Sequence, residues 1–312
     1  MPDKIIFVVK LSISAFIVYL IAGRIDVEQV KLTLRHANVY YLCLSVLVAA
    51  LAVPAVSMRW AMVARIFSID LSNTTAVKAT FAGLFVGQVL PGAIGADIVR
   101  GWMIWHLGMR KKMIVASLIA DRVISLVAVG LMILIGLPFL ARYAPQYESL
   151  LNKLSLVGLA FFVASIFALH KTITHARAMN SLTILRNKFS IKNISISTRK
   201  VLSLILLANF GHLLFILSAY SIGIAMNIKA EFWVWCIIIP IVSLVSAMPV
   251  SINGWGVREF AMIELWSIFG ISSSDAFLVS VSVGIVSVIS SLPGVCYWVS
   301  SRGAGKLLQE RG

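Results

Sequence analysis

Acidic residues are scarce in this chain of 312 residues: 12 Asp and Glu stand against 27 Lys and Arg. Charged residues of both signs make up 12%, about half of what a soluble domain carries, while 60% of the residues are hydrophobic. That excludes a soluble globular fold, and no polar stretch is long enough to form a separate soluble domain. Cysteine is just as sparse. Cys43, Cys236 and Cys296 each sit inside an apolar run with no CxxC or Cys/His grouping, which excludes a disulfide framework and a zinc site. No metal or cofactor is expected. No nucleophile–base set or paired acid at fixed spacing is present either, so no catalytic residue is assigned and enzymatic activity is not expected. The basic excess lacks the interleaved aromatics of a nucleic-acid binder. In a membrane protein such residues gather in cytoplasmic loops beside anionic lipid headgroups.

Apolar sequence of bilayer length is what the chain has in quantity. Ile5–Ala22, Val39–Ser57, Met113–Leu140, Leu151–His170, Val201–Met226 and Ala276–Ser300 each reach about 18 residues, enough to cross a hydrocarbon core of about 30 Å. Lys10 interrupts the first run and Ala22-Gly23-Arg24 is a poor cleavage site, so Ile5–Ala22 reads as a retained helix, not a signal peptide. Two further regions, about 76–107 and 232–270, are built differently. In each, two short apolar runs flank a polar interruption, Leu90-Pro91-Gly92 through Gly95 and Asp97 to Arg100 in one, Pro249 through Asn253-Gly254 and Gly256 to Arg258-Glu259 in the other. Each interruption has a helix-breaking Pro and an Arg nine residues later. These regions read as helical hairpins that enter the membrane partway and turn back.

Charge counting orients them. With the N-terminus in the cytoplasm and both hairpins returning to their side of origin, the cytoplasmic segments hold 19 Lys and Arg and the outer segments 6. Arg122 and Arg258 lie within the apolar part. The two hairpin tips then enter from opposite sides, an inverted-topology repeat of the kind that holds a site near the midplane between its halves. The expected architecture is an all-α polytopic protein of the cytoplasmic (inner) membrane. It is a single domain over 1–312, with about six full spans, two re-entrant hairpins and both termini in the cytoplasm. The stretch 171–200 carries no acid and reads as a cytoplasmic linker touching anionic lipid. Ile25, Val27, Val30, Leu34 and Ala37 recur at helical spacing, as in an interfacial amphipathic helix.

Charge at membrane depth is costly and marks candidate sites. Asp97 falls near the start of the returning helix, where it fits an N-cap, and Arg100 lies on the same face. One reading is a cap and an interfacial arginine; the other is an anion held by helix N-terminal amides and Arg100. Asp121 and Arg122 point about 100° apart on their helix, so they face different partners. Arg122 then suits an anionic headgroup, and Asp121 holds a base such as Arg100. Glu259 is either a partner to an arginine or a coupling acid. His212 and Asn209, one turn apart, fit an interhelical hydrogen-bond pair.

These motifs, with Leu292-Pro293-Gly294 in the last helix, resemble the flippase-like transmembrane family of lysylphosphatidylglycerol synthases, from the first helix to Tyr297. The resemblance implies a polytopic domain that moves anionic or glycosylated lipids, phospholipid or polyprenyl-phosphate-linked, between leaflets. No soluble segment follows Gly312, so lysine transfer to phosphatidylglycerol is not expected. On this reading Arg100, Arg122 and Arg258 bind the phosphate and share one aqueous space. Asn253 joins them at the headgroup and Gly92, Gly95, Gly254 and Gly256 let backbone approach it, while Asp97, Asp121 and Glu259 position the arginines or couple to ions. A membrane enzyme acting on a lipid phosphate, a proton-coupled transporter of small solutes and an accessory subunit partnering a glycosyltransferase are the alternatives.

Overall fold

The computed structural model describes residues 19–143 apart from 89 and 91–93, residues 198–247 and 254–300, and scattered positions in 12–17 and 145–167. All regular structure among the described residues is helical. The helices are α1 (Val27–Arg35), α2 (Val39–Ile66), α3 (Asn73–Gly87), α4 (Gly95–Trp105), α5 (Lys111–Tyr143), α6 (Thr198–Ala225), α7 (Phe232–Ser246), α8 (Val257–Ser267) and α9 (Ser273–Ser291). Four of them, α2, α5, α6 and α9, are long and apolar enough to cross a membrane. The expected spans Ile5–Ala22 and Leu151–His170 lie partly outside the described residues, and the 171–200 linker almost wholly so.

Several boundaries differ from the sequence reading. The first described span does not stop at Ser57: α2 continues through Arg59 to Ile66, because Trp60, Val63 and Ala64 keep the apolar face going past the arginine. The last run, read as one helix over Ala276–Ser300, breaks at Leu292 and resumes as helix over 293–300. Gly294 at that break lies against the Phe81 carbonyl of α3, where a methyl group would collide with the backbone. The amphipathic segment does form a helix, α1, capped by Asp26. It docks on the start of α9 through Asp26 N to Ser274 Oγ (2.8 Å) and Gln29 Nε2 to Asp275 Oδ2 (3.0 Å).

Each interrupted region forms a pair of short helices packed against each other. In the first, Gly83 and Gly87 of α3 let the α4 backbone close in, since a methyl on Gly83 would lie 2.5 Å from the Ala96 carbonyl. This pair rests on a core of Trp60, Ala61, Ala64, Ala76, Ala79 and Ile104. The second pair, α7 and α8, rests on a separate core that includes Trp235, Ile238, Met262, Trp266 and Val279. The pairs approach from opposite ends of α5. α4 ends beside the start of α5, where Trp105 meets Lys111 and Trp102 meets Trp298. α7 begins, and α8 ends, beside the other end of α5, where Tyr143, Trp233 and Phe269 cluster.

Candidate functional site: a buried charge chain bordering an apolar cavity

The first hairpin carries a run of alternating charges drawn from three helices. Arg59 of α2 donates from Nε to Asp121 Oδ1 at 2.7 Å and from Nη2 to Asp121 Oδ2 at 3.3 Å. Arg100 Nη2 donates to the same carboxylate at 3.0 Å and also reaches Asp97 Oδ1 at 2.7 Å. Arg122 Nε closes the run on Asp97 Oδ2 at 2.5 Å. Arg59 and Arg100 are 4% and 5% exposed and Asp121 1%, so nearly the whole chain of charges is sealed from solvent. Burial of isolated charges at this depth is strongly unfavourable, and the alternation of sign offsets it. The guanidinium of Arg100 also lies 4.6 Å from the Trp60 ring centre. Its Nε has no hydrogen-bond partner among the described residues.

Among the described residues the run holds three guanidiniums and two carboxylates, one positive charge in excess. Its outer end is Arg122, whose side chain is 44% exposed. Arg122 and Asp97 line a cavity of about 1220 Å³ between α4, α5 and α7. Apart from Asp97, Lys111 and Arg122, that lining is apolar or aromatic, and it touches Ile94 at the first tip and Ala247 just before the second. An aqueous solute gains little from such walls, whereas an amphiphile can place its charge on Arg122 and its chains along the rest.

The second hairpin holds its charge pair within one helical turn, supported by α9. Glu259, 2% exposed, accepts from the Gly256 amide at 2.6 Å, from Arg258 Nη2 at 2.8 Å and from Ser280 Oγ at 3.1 Å. Its carboxylate thereby closes the N-terminus of α8, as an acid in the first helical turn does. Arg258 lies 4.7 Å from the Trp255 ring centre, and Gly284 leaves the room both side chains occupy. Gly254 and Gly256 have φ of 80° and 86°, a left-handed backbone that glycine adopts without strain.

Measured against the sequence reading, Asp121, Arg122, Arg100 and Asp97 converge, and Asp121 and Arg122 do face different partners. Asp97 is not an N-cap: Ile94 takes that place without a side-chain bond, and Asp97 stands one turn in, turned to two arginines. The three arginines do not share one space. Arg100 is enclosed by its partners, and neither it nor Arg258 lines the cavity. Gly95 meets Leu90 across the tip, so its small size serves the turn. His212 bonds across helices to Ser125 (3.1 Å), but Asn209 turns back to Ile205 of its own helix. Gly92 and Asn253 lie outside the described residues. Sequence reasoning missed Arg59, counted as a loop cation because the span seemed to end at Ser57. Ser280 and Trp60, on helices far along the chain from their partners, carried no signal of their own.

Residues 7–294 match the family model described as the lysylphosphatidylglycerol synthase TM region. A UPF0104 membrane protein of Methanocaldococcus jannaschii is 26% identical over 223 residues, which cover 66% of this chain and 89% of that one.

Proposed function

This chain belongs to the lysylphosphatidylglycerol synthase TM region family, and from that premise we propose that it moves an anionic lipid, phospholipid or polyprenyl-phosphate-linked, between the leaflets of the cytoplasmic membrane. The observation that carries this reading is the excess positive charge ending at Arg122 on the wall of an otherwise apolar cavity. A lipid headgroup crossing hydrocarbon unaided loses its hydration; a cation held at depth lowers that barrier while the acyl chains stay in an apolar path.

Depth supports the same reading. α4 is 11 residues long, so Gly95 lies about 16 Å from the aromatic end of the helix, close to half of a ~30 Å core. α8 has the same length and starts equally far from the opposite end. In this proposal both pairs are re-entrant hairpins of an inverted repeat, and the cavity between their tips is the headgroup path. Two cations leave the loop count, because Arg59 and Arg100 are buried; 17 against 6 still favours a topology with both termini and the 171–200 linker in the cytoplasm. Glu259, held by the Gly256 amide, Arg258 and Ser280 of α9, acts as the cap and counter-charge of Arg258 and not as a coupling acid.

Purified protein in phosphatidylcholine vesicles with labelled lipids tests the function. Leaflet exchange of an anionic class above the rate of empty vesicles, lost in Arg122→Gln, is expected. Chemical conversion of the lipid would replace the proposal with the enzymatic alternative. Absence of both exchange and conversion across phospholipids and polyprenyl phosphates would leave the accessory role. A cysteine at Ser181 is expected to label from the cytoplasm and one at Gln146 from outside; labelling from one side would overturn the topology.

A further inference from the structure

The cavity wall contributed by α5 holds a second cation that the charge chain does not use. Lys111 opens α5 and lines the same cavity as Arg122. Eleven residues separate them, so they stand about 16 Å apart along the helix and within about 20° of the same face. Val115, Leu118 and Ile119 form the stripe between them. No carboxylate pairs with Lys111 among the described residues; its ammonium lies 3.7 Å from the ring centre of Trp105, another lining residue. The stability of α5 does not account for this lysine, since the positive end of a helix dipole disfavours cations in the first turn. The side chain is exposed, yet its ammonium is held against the aromatic ring of Trp105 on the cavity wall.

We propose that Lys111 and Trp105 form a capture station at the mouth of the cavity for the anionic headgroup of a lipid. Arg122 is then the second station, reached along the α5 stripe. The inference rests on the lipid-movement reading above and adds where the headgroup enters. The attraction between an ammonium and an aromatic ring is weaker than its charge-assisted hydrogen bonds to a phosphate, so an arriving headgroup displaces Trp105 as the partner of Lys111. Trp105 meanwhile keeps the unliganded ammonium on the cavity wall. A mouth station raises the local population of headgroups without changing the barrier at Arg122, so it sets apparent affinity and leaves the maximal rate alone.

The test is leaflet exchange of fluorescent phosphatidylglycerol, followed across a range of its mole fractions in phosphatidylcholine vesicles. The variants are Lys111→Gln, Lys111→Arg, Lys112→Gln and Arg122→Gln. Lys112 is exposed like Lys111 but does not line the cavity, so its variant controls for general surface charge. Lys111→Gln is expected to raise the half-saturating mole fraction about three- to fivefold, the size of one exposed charge contact, at an unchanged plateau. Lys111→Arg should restore it, Lys112→Gln should match the parent, and Arg122→Gln should lower the plateau. If Lys111→Gln matches the parent while Arg122→Gln is impaired, the capture station is wrong and lipid movement stands. A fall in plateau for Lys111→Gln, equal shifts for both lysine variants, or inhibition by millimolar inorganic phosphate at constant ionic strength would also overturn it, the last by assigning the site to a free anion. Parent exchange no faster than empty vesicles removes the lipid-movement reading for this lipid class, and the capture station with it.

Discussion

The two hairpins use the same residue types and reach opposite electrostatic ends. Around the first, acids and bases come from α2, α4 and α5, and three guanidiniums share two carboxylates. Around the second, one arginine meets one glutamate from its own turn, with Ser280 and a backbone amide completing the shell. The first arrangement joins three helices and leaves positive charge on a cavity wall; the second balances itself and closes the start of α8. Motif likeness therefore does not carry equivalence of role. Charge balance and the number of helices supplying it separate a site from a lock.

The largest expected effect sharpens that contrast. Asp121→Asn leaves Arg59 without a charged partner and Arg100 with Asp97 alone, and should cost about 3–5 kcal/mol, read as a lowered thermal transition in detergent. Glu259→Gln keeps hydrogen-bonding capacity next to a less deeply enclosed arginine and should cost about 1–3 kcal/mol. Equal losses for the two would erase the distinction drawn between the hairpins. Gly294→Ala, which sets a methyl against the Phe81 carbonyl, should destabilise by about 1–3 kcal/mol through local overpacking of α3. Arg122→Lys should fold like the parent yet exchange lipid severalfold more slowly, because an ammonium cannot hold Asp97 and a phosphate in the planar geometry of a guanidinium. Full exchange by that variant would remove geometric recognition from the account and leave a bare positive charge.

Much of the first cluster was legible from spacing alone. Asp121 and Arg122 sit side by side in an apolar run, and the 100° step between helical neighbours sends one to Arg59 and Arg100 and the other to Asp97. The same rule fails for Arg258 and Glu259. There the glutamate folds back to the Gly256 amide and the arginine follows it, at a helix terminus where side chains are not held to interior directions. Arg59 was hidden for another reason. A charge near the end of an apolar run looks like a loop boundary, and only its tertiary partner, 62 residues away, shows that the helix continues. The expectation of one space shared by three arginines came from treating the two motifs as equivalent, and packing on two separate cores keeps Arg258 apart.

Photocrosslinking tests the central claim most directly. Phosphatidylglycerol with a diazirine in one acyl chain would be equilibrated with the reconstituted protein, irradiated, and its attachment sites mapped by peptide mass spectrometry in the parent and in Arg122→Gln. The account predicts adducts on the cavity faces of α4, α5 and α7, around Ile98, Leu118, Leu126 and Leu244, that fall away in the variant. Adducts unchanged by the loss of Arg122, or centred on Ser280 and Gly284 beside the second hairpin, would contradict it.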